Sequence, residues 1–173
     1  MVSLGFDAST STCGYAFTEN GKILCANVID ISKFETSKTK ANEIIKKVNS
    51  HNINFDSINL EEALSGFGFG RTSQQTLIKL LRWNAVFEYI LGETYDKPVN
   101  LVGAMTARKQ LFGKARIKGV DSKTFVNQEL RKLFDLTPFE IYNRNNVLDK
   151  KNEDIRDAIV ISFYKLLKGK NTI

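Results

Sequence analysis

Short apolar runs alternate with longer amphipathic ones along these 173 residues, and the two periodicities assign most of the chain. Val2 to Phe6 reads as a short buried strand ending on Asp7. Gly14 to Thr18 and Lys22 to Ile29 are β-rich runs on either side of Asn20-Gly21, a dipeptide that accepts the positive φ angles of a two-residue hairpin turn. From about Thr36 to Ser50, Ala41, Ile44, Ile45 and Val48 recur at helical spacing, and Ser57 to Leu60 reads as a further short strand leading to Glu61-Glu62. A glycine-rich stretch, Ser65 to Gly70, precedes a long helix expected from about Thr72 to Leu91, capped by Thr72 or Ser73. Its apolar stripe is Leu77, Leu80, Leu81, Phe87, Ile90 and Leu91. Val99 to Val102 reads as a strand, followed by helices at Thr106–Phe112, Ser122–Phe134 and Glu153–Leu167. Three leading strands, then helix, strand, helix, strand and more helices, predict an α/β domain with a mixed sheet flanked by helices.

Composition narrows the class. Hydrophobic residues make up 42% and charged residues 25%, the balance of a globular protein. Only Pro98 and Pro138 interrupt the chain and no Gly/Ser-rich linker divides it, so residues 1–173 are expected to form a single domain. The net charge of +6 favours a polyanionic partner. Cys13, Cys25 and His51 are too few to build a Cys/His zinc site. If Glu19 faces Lys22 in the hairpin, Cys25 faces Ala16 and Cys13 faces Val28, which leaves the thiols off register for a disulfide. Reduced, buried thiols, no signal-like N-terminus and no long apolar run predict a soluble cytoplasmic protein with no membrane span. Eighteen lysines against seven arginines, with 15 asparagines, suit an AT-rich genome such as that of a low-GC bacterium or its phage.

Carboxylates supply the candidate chemistry. Asp7 ends an apolar strand, where a charge is costly to bury; it serves a site or caps the turn Ala8-Ser9-Thr10. Glu61 closes the strand Ser57–Leu60, and alternation puts it on the face of Asn59 while Glu62 shares the face of Leu60. Asp154 and Asp157 are spaced i, i+3 on one helix face that Ala158 and Ile161 continue into the core. Two aspartates on one inward edge repel unless a cation joins them. Acids in a first helical turn also suit the helix dipole, which accounts for Glu153.

In order along the chain, these segments resemble the RuvC family of Holliday-junction resolvases, within the RNase H-like superfamily. Leu4-Gly5-Phe6-Asp7-Ala8-Ser9-Thr10-Ser11-Thr12-Cys13-Gly14-Tyr15 is similar to the family's first strand and turn. Ile58-Asn59-Leu60-Glu61 is similar to its second acidic strand end, and Asp154-Ile155-Arg156-Asp157-Ala158 to its closing helix. The resemblance also takes in Thr106 to Gln110 and Gly119 to Lys132. It implies an RNase H-like mixed five-stranded sheet flanked by helices. It further implies that Asp7, Glu61, Asp154 and Asp157 are catalytic acids binding two Mg²⁺ (or Mn²⁺), in a homodimer that nicks opposing strands of a four-way DNA junction. Water would attack the phosphorus in line and leave 5′-phosphate and 3′-hydroxyl ends. Two departures stand out: the family's Pro-Gly after the first Asp is Ala8-Ser9, and its aromatic wedge position falls on Leu64, with Phe67 and Phe69 nearby.

From Thr106 to Lys123 six basic residues, Arg108, Lys109, Lys114, Arg116, Lys118 and Lys123, stand against the single acid Asp121. Such a cluster neutralises phosphates. Lys109, Lys114, Arg116, Lys118 and Lys123 are therefore expected to bind DNA, with Lys109 and Lys123 the closest matches to the family's lysines. Phe67 or Phe69 is expected to stack on an unpaired base from the glycine-rich loop. The long helix's apolar stripe would serve both the core and a subunit interface. From another functional class, the competing expectation is a branched-DNA-binding module that keeps the fold without the chemistry.

Overall fold

The computed structural model describes residues 1–63 and 74–165. Three strands open the chain, β1 (Val2–Ala8), β2 (Thr12–Glu19) and β3 (Lys22–Asp30). After them come α1 (Ser37–Asn49), β4 (Ser57–Glu61), α2 (Gln74–Tyr95) and β5 (Val99–Val102). Helices α3 (Ala104–Phe112), α4 (Ser122–Leu133) and α5 (Asn152–Ser162) close it, with a 3₁₀ turn at Thr137–Phe139. The five strands form one mixed sheet in the order β3-β2-β1-β4-β5. Pairs β1–β2 and β2–β3 are antiparallel, and β1–β4 and β4–β5 are parallel.

Asn20 and Gly21 carry φ values of 47° and 82°, the conformation that a tight β2–β3 turn requires. The register beyond the turn differs from the sequence expectation. Glu19 faces Lys22 and Thr18 faces Ile23, but a bulge then places Phe17 opposite Cys25. Leu24 is the extra residue, 41% exposed. Cys25 therefore faces Phe17 rather than Ala16, and Cys13 faces Ile29 rather than Val28. Both cysteines are free; Cys13 is buried and Cys25 partly so.

Each face of the sheet has its own core. Leu4, Phe6, Cys13, Tyr15, Phe17, Ile58 and Leu60 point to the side covered by α1 and α2. There α1 buries Ala41, Ile44 and Val48, its entrance fixed by a reciprocal cap between Thr36 and Thr39. Helix α2 buries Trp83, Asn84, Phe87 and Leu91. Trp83 stacks on Phe87 at 5.0 Å, and Phe87 meets Phe6 edge-on at 5.2 Å. Leu81, assigned to the buried stripe above, is 41% exposed, and Trp83 holds the inward position. Burying each large side chain of this kind stabilises by roughly 1.5–3 kcal/mol.

On the opposite face α5 lies almost directly on the strands, with α3 and α4 beside it. A Cβ on Gly5 would lie 2.3 Å from the Ser162 amide nitrogen, and one on Gly14 would lie 2.1 Å from the Asp154 carbonyl oxygen. Small residues at these inward positions, with Ala16 between them, form the groove that seats α5. Buried Asn59 fastens the helix's end, donating to the carbonyls of Ile161 and Tyr164. Among the described residues no helix is long and apolar enough to cross a membrane.

Candidate acidic site

Strands β1 and β4 run parallel and stay in register to the pair Phe6–Leu60. One step further, Asp7 and Glu61 end their strands side by side. Alternation puts both on the α5 face, because Phe6 and Leu60 are buried on the other. The turn after β1 is closed by Ser9, whose Oγ accepts from the amides of Ser11 and Thr12. Asp7 is thereby free of the capping duty that its sequence position also allowed. Helix α2 ties the end of β4 in place, Asn84 Nδ2 donating to the Glu61 carbonyl at 2.9 Å.

The first turns of α5 supply the other two acids. Gly14 pairs with Asp7 across the β1–β2 ladder. Its missing side chain lets the backbone of Asp154 settle against the strand. Asp154 thus approaches Asp7 from above, and Asp157, one turn on, faces the same place. Burial raises the Asp7 carboxyl well above its ordinary range, and the charges of Glu61, Asp157 and Asp154 raise it further. Glu62 lies past the strand end with its side chain exposed and its amide bonded to the Val102 carbonyl. Glu61 is thus the glutamate that the structure brings to the other three acids.

Electrostatics show a site short of positive charge. Glu61 is pushed up to about 7, by burial first and then by Asp157 and Asp154 against the opposing pull of Arg108. Burial also raises Asp157, and Arg108 opposes it. Among the described residues no three His, Cys, Asp or Glu side chains close on one point tightly enough to hold an ion as they stand. The donor set nonetheless has the chemistry of a hard cation's site: four carboxylates, no nitrogen or sulfur, and repulsion that an ion would relieve.

Arg108 is the residue that the sequence reading left in the basic loop and the structure puts in the site. Its Nη2 donates to Asp157 Oδ1 at 3.0 Å and its Nη1 to Ser122 Oγ at 2.6 Å. The two side chains of the ion pair are 13% and 20% exposed, and the Arg108 Nε is buried without a partner. One sequence signal was available: Arg108 follows Ala107, the buried residue of α3, and so sits at the edge of its inward face.

Lys109, Arg116 and Lys118 are exposed. Lys114 pairs with Glu129 at 3.4 Å, and Lys123 is bonded to Glu153 on α5 while its charge also reaches Asp7, Asp154 and Asp157. Phe67, Phe69 and Leu64 lie outside the described residues, as do the proposed caps Thr72 and Ser73.

No protein-family model matches the chain, and no curated protein matches its sequence. Solved structures do match its fold. RuvC of Thermus thermophilus superposes with a TM-score of 0.60 at 18% identity, over 94% of this chain and 91% of that one. The same protein in complex with a Holliday junction substrate gives 0.61 at 18%, over 94% and 90%. The yeast mitochondrial Holliday junction resolvase Ydc2 gives 0.57 at 16%, over 92% and 75%. The mixed five-stranded sheet, its strand order and its flanking helices are thus those of the RuvC-type, RNase H-like fold.

Proposed function

We propose that this chain is a metal-dependent endonuclease that resolves four-way DNA junctions, and related branches, by paired nicking within a homodimer. One observation carries the reading: Asp7, Glu61, Asp154 and Asp157, from three separate elements, lie on one face at the end of a RuvC-type sheet, where burial and the neighbouring acids raise the carboxyls of Asp7 and Glu61. The likeness to a structure solved with a Holliday junction supports the choice of substrate.

In this reading Asp7, Glu61, Asp154 and Asp157 would hold the divalent ions, Mg²⁺ or Mn²⁺. Two bound ions would supply the Lewis acidity that activates water and steadies the leaving 3′ oxygen. Gly14 fixes how near Asp154 stands to Asp7. Arg108 offsets the acids' repulsion and keeps the Asp157 carboxylate oriented. Lys109, Arg116 and Lys118 hold the backbone beside the cut, and Phe67 or Phe69 stacks on a base opened at the branch. The exposed apolar residues of α2, Ile78, Leu81, Val86 and Tyr89, are the surface we assign to the second subunit.

A second reading, a branched-DNA-binding module without chemistry, draws on the Arg108–Asp157 pair, which already neutralises one of the four acids. Incubation of the protein with labelled four-way junction and with linear duplex of the same sequence separates the two. A nuclease cuts the junction in preference to the duplex, only with Mg²⁺ or Mn²⁺, and leaves ends that a ligase can seal. Junction binding without any metal-dependent nick would favour the module.

A further inference from the structure

Between the 3₁₀ turn and α5, residues 141–149 form a hairpin that the acidic site does not use. Tyr142 bridges Leu148, and the amides of Asn143 and Asp149 donate to the carbonyls of Val147 and Ile141. Its loop, Arg144-Asn145-Asn146, closes with Asn146 at a φ of 57°, the left-handed residue that such a turn requires. Asn143 Oδ1 accepts from the amides of Asn145 and Val147, so that side chain is occupied by the turn itself. At the root, buried Asn152 of α5 accepts from the Ile141 amide and donates to the Ile141 and Asp149 carbonyls. Lys151 adds an ion pair with Asp30 at 3.2 Å.

These ties fix the hairpin beside the four acids. Lys151 stands three residues before Asp154, about 4.5 Å along a helix axis. Asp30 pairs with Thr12, the first residue of β2, and so lies at the same end of the sheet as Asp7. Strand β3 is two places from β1, about 10 Å at the usual strand spacing. Phe139 and Ile141 pack into the α5-side core, which puts the hairpin and the α2 surface assigned to the second subunit on opposite faces of the sheet. Arg144, Asn145 and Asn146 are exposed, and among the described residues their side chains have no hydrogen bond or ion pair.

We propose that Arg144, Asn145 and Asn146 form a base-reading tip that enters the major groove of the DNA arm bound at the acidic site and sets the sequence preference of the cut. The inference rests on the DNA-binding reading above and extends it. The major groove is about 12 Å wide and admits a two-stranded ribbon, so a backbone held at the acids brings that groove within the hairpin's reach. The free groups are those that read base edges: a guanidinium matches the two acceptors of guanine, and a carboxamide matches the donor and acceptor of adenine. Charge favours the same occupant. Arg144 and Lys150 are exposed and outside any ion pair among the described residues, whereas the carboxylates here are engaged. Asp149 accepts from the Lys151 amide, and Glu140 from Tyr142, Arg131 and Arg156.

The test is selective binding. A pool of four-way junctions with randomised arm sequences is bound in EDTA, which prevents cleavage, and the bound fraction is sequenced. The wild type is expected to enrich particular base pairs in one stretch of an arm. Arg144→Ala/Asn145→Ala should still bind the pool, with that enrichment reduced about tenfold. Arg144→Lys keeps the charge without the planar fork, so it should bind the pool as tightly as wild type and lose preference at a guanine. The control Lys22→Ala/Lys46→Ala removes two exposed lysines elsewhere and should keep the wild-type enrichment. Unaltered enrichment in Arg144→Ala/Asn145→Ala would overturn the base-reading tip, and full enrichment in Arg144→Lys would reduce Arg144 to a phosphate contact and overturn it too. Elution of Arg144→Ala/Asn145→Ala as a smaller species than wild type in gel filtration would make the tip a subunit contact instead. If the wild type binds no junction, the DNA-binding reading itself fails; if it binds the pool without enrichment, this inference alone fails.

Discussion

Gly14 and Asp154 touch through their backbones: a Cβ at position 14 would lie 2.1 Å from the Asp154 carbonyl oxygen. Since Gly14 is also the cross-strand neighbour of Asp7, this one contact sets the spacing between the strand acid and the helix acid. Gly14→Ala must push α5 away from the sheet. Overpacking of this kind costs about 1–3 kcal/mol. We expect a lower urea midpoint and, in the fraction that stays folded, weaker Mn²⁺ binding by calorimetry. Unchanged metal affinity in Gly14→Ala would show that the spacing is not set here.

The Arg108–Asp157 pair offers a second prediction. Arg108→Gln leaves Asp157 beside three other carboxylates with no guanidinium, so the metal-free protein should lose roughly 1–3 kcal/mol. Asp157→Asn in the same chain should restore part of that loss. Denaturation of the two single variants and the double variant measures the coupling, and simple additivity would deny the pair any special role.

Stability should depend on pH in a direction opposite to that of ordinary surface acids. Glu61 is pushed from 4.5 up to about 7, and Asp7 is raised as well, so the folded state holds these protons more tightly than the unfolded chain. Their contribution is complete below the unfolded values and is lost as pH rises through about 7. In EDTA the urea midpoint should therefore fall between pH 5 and pH 8, and Glu61→Gln should flatten that fall. Added Mg²⁺ should restore stability at the higher pH, because an ion replaces the lost protons.

The basic loop divides into free and engaged cations. Lys109, Arg116 and Lys118 are exposed, while Lys114 and Lys123 each pair with a glutamate. Alanine at any of the first three should lower the salt slope of junction binding by about 0.9. Alanine at Lys114 should lower it less, since part of its charge is already answered by Glu129. Binding isotherms at several salt concentrations read this directly.

Much of this architecture was legible in the sequence because it is written in local chemistry. Asn20-Gly21 demands a turn, and strand alternation separates Glu61 from Glu62 without any structure. The i, i+3 spacing of Asp154 and Asp157 puts them on one face of α5. What stayed hidden depends on contacts distant in sequence. The bulge at Leu24 shifts every later pair of the hairpin by one residue, yet a single extra residue leaves no mark on composition. Leu81 and Trp83 are both apolar, but Trp83 stands four residues before Phe87 and eight before Leu91, on the stripe that α2 buries, and Leu81 lies off it. Arg108 read as one of six cations in a basic run; its partners Ser122 and Asp157 lie 14 and 49 residues further on.

Strand cleavage tests most directly whether the four acids make a nuclease. Wild type and Asp7→Asn are incubated with a synthetic four-way junction in Mg²⁺ and in EDTA, and the strands are resolved on a denaturing gel. Paired nicks in opposing strands are expected for the wild type in Mg²⁺ alone. None are expected for Asp7→Asn, which should still bind the junction. Intact strands with wild type in Mg²⁺, despite tight binding, would contradict the nuclease reading, as would equal cleavage by Asp7→Asn.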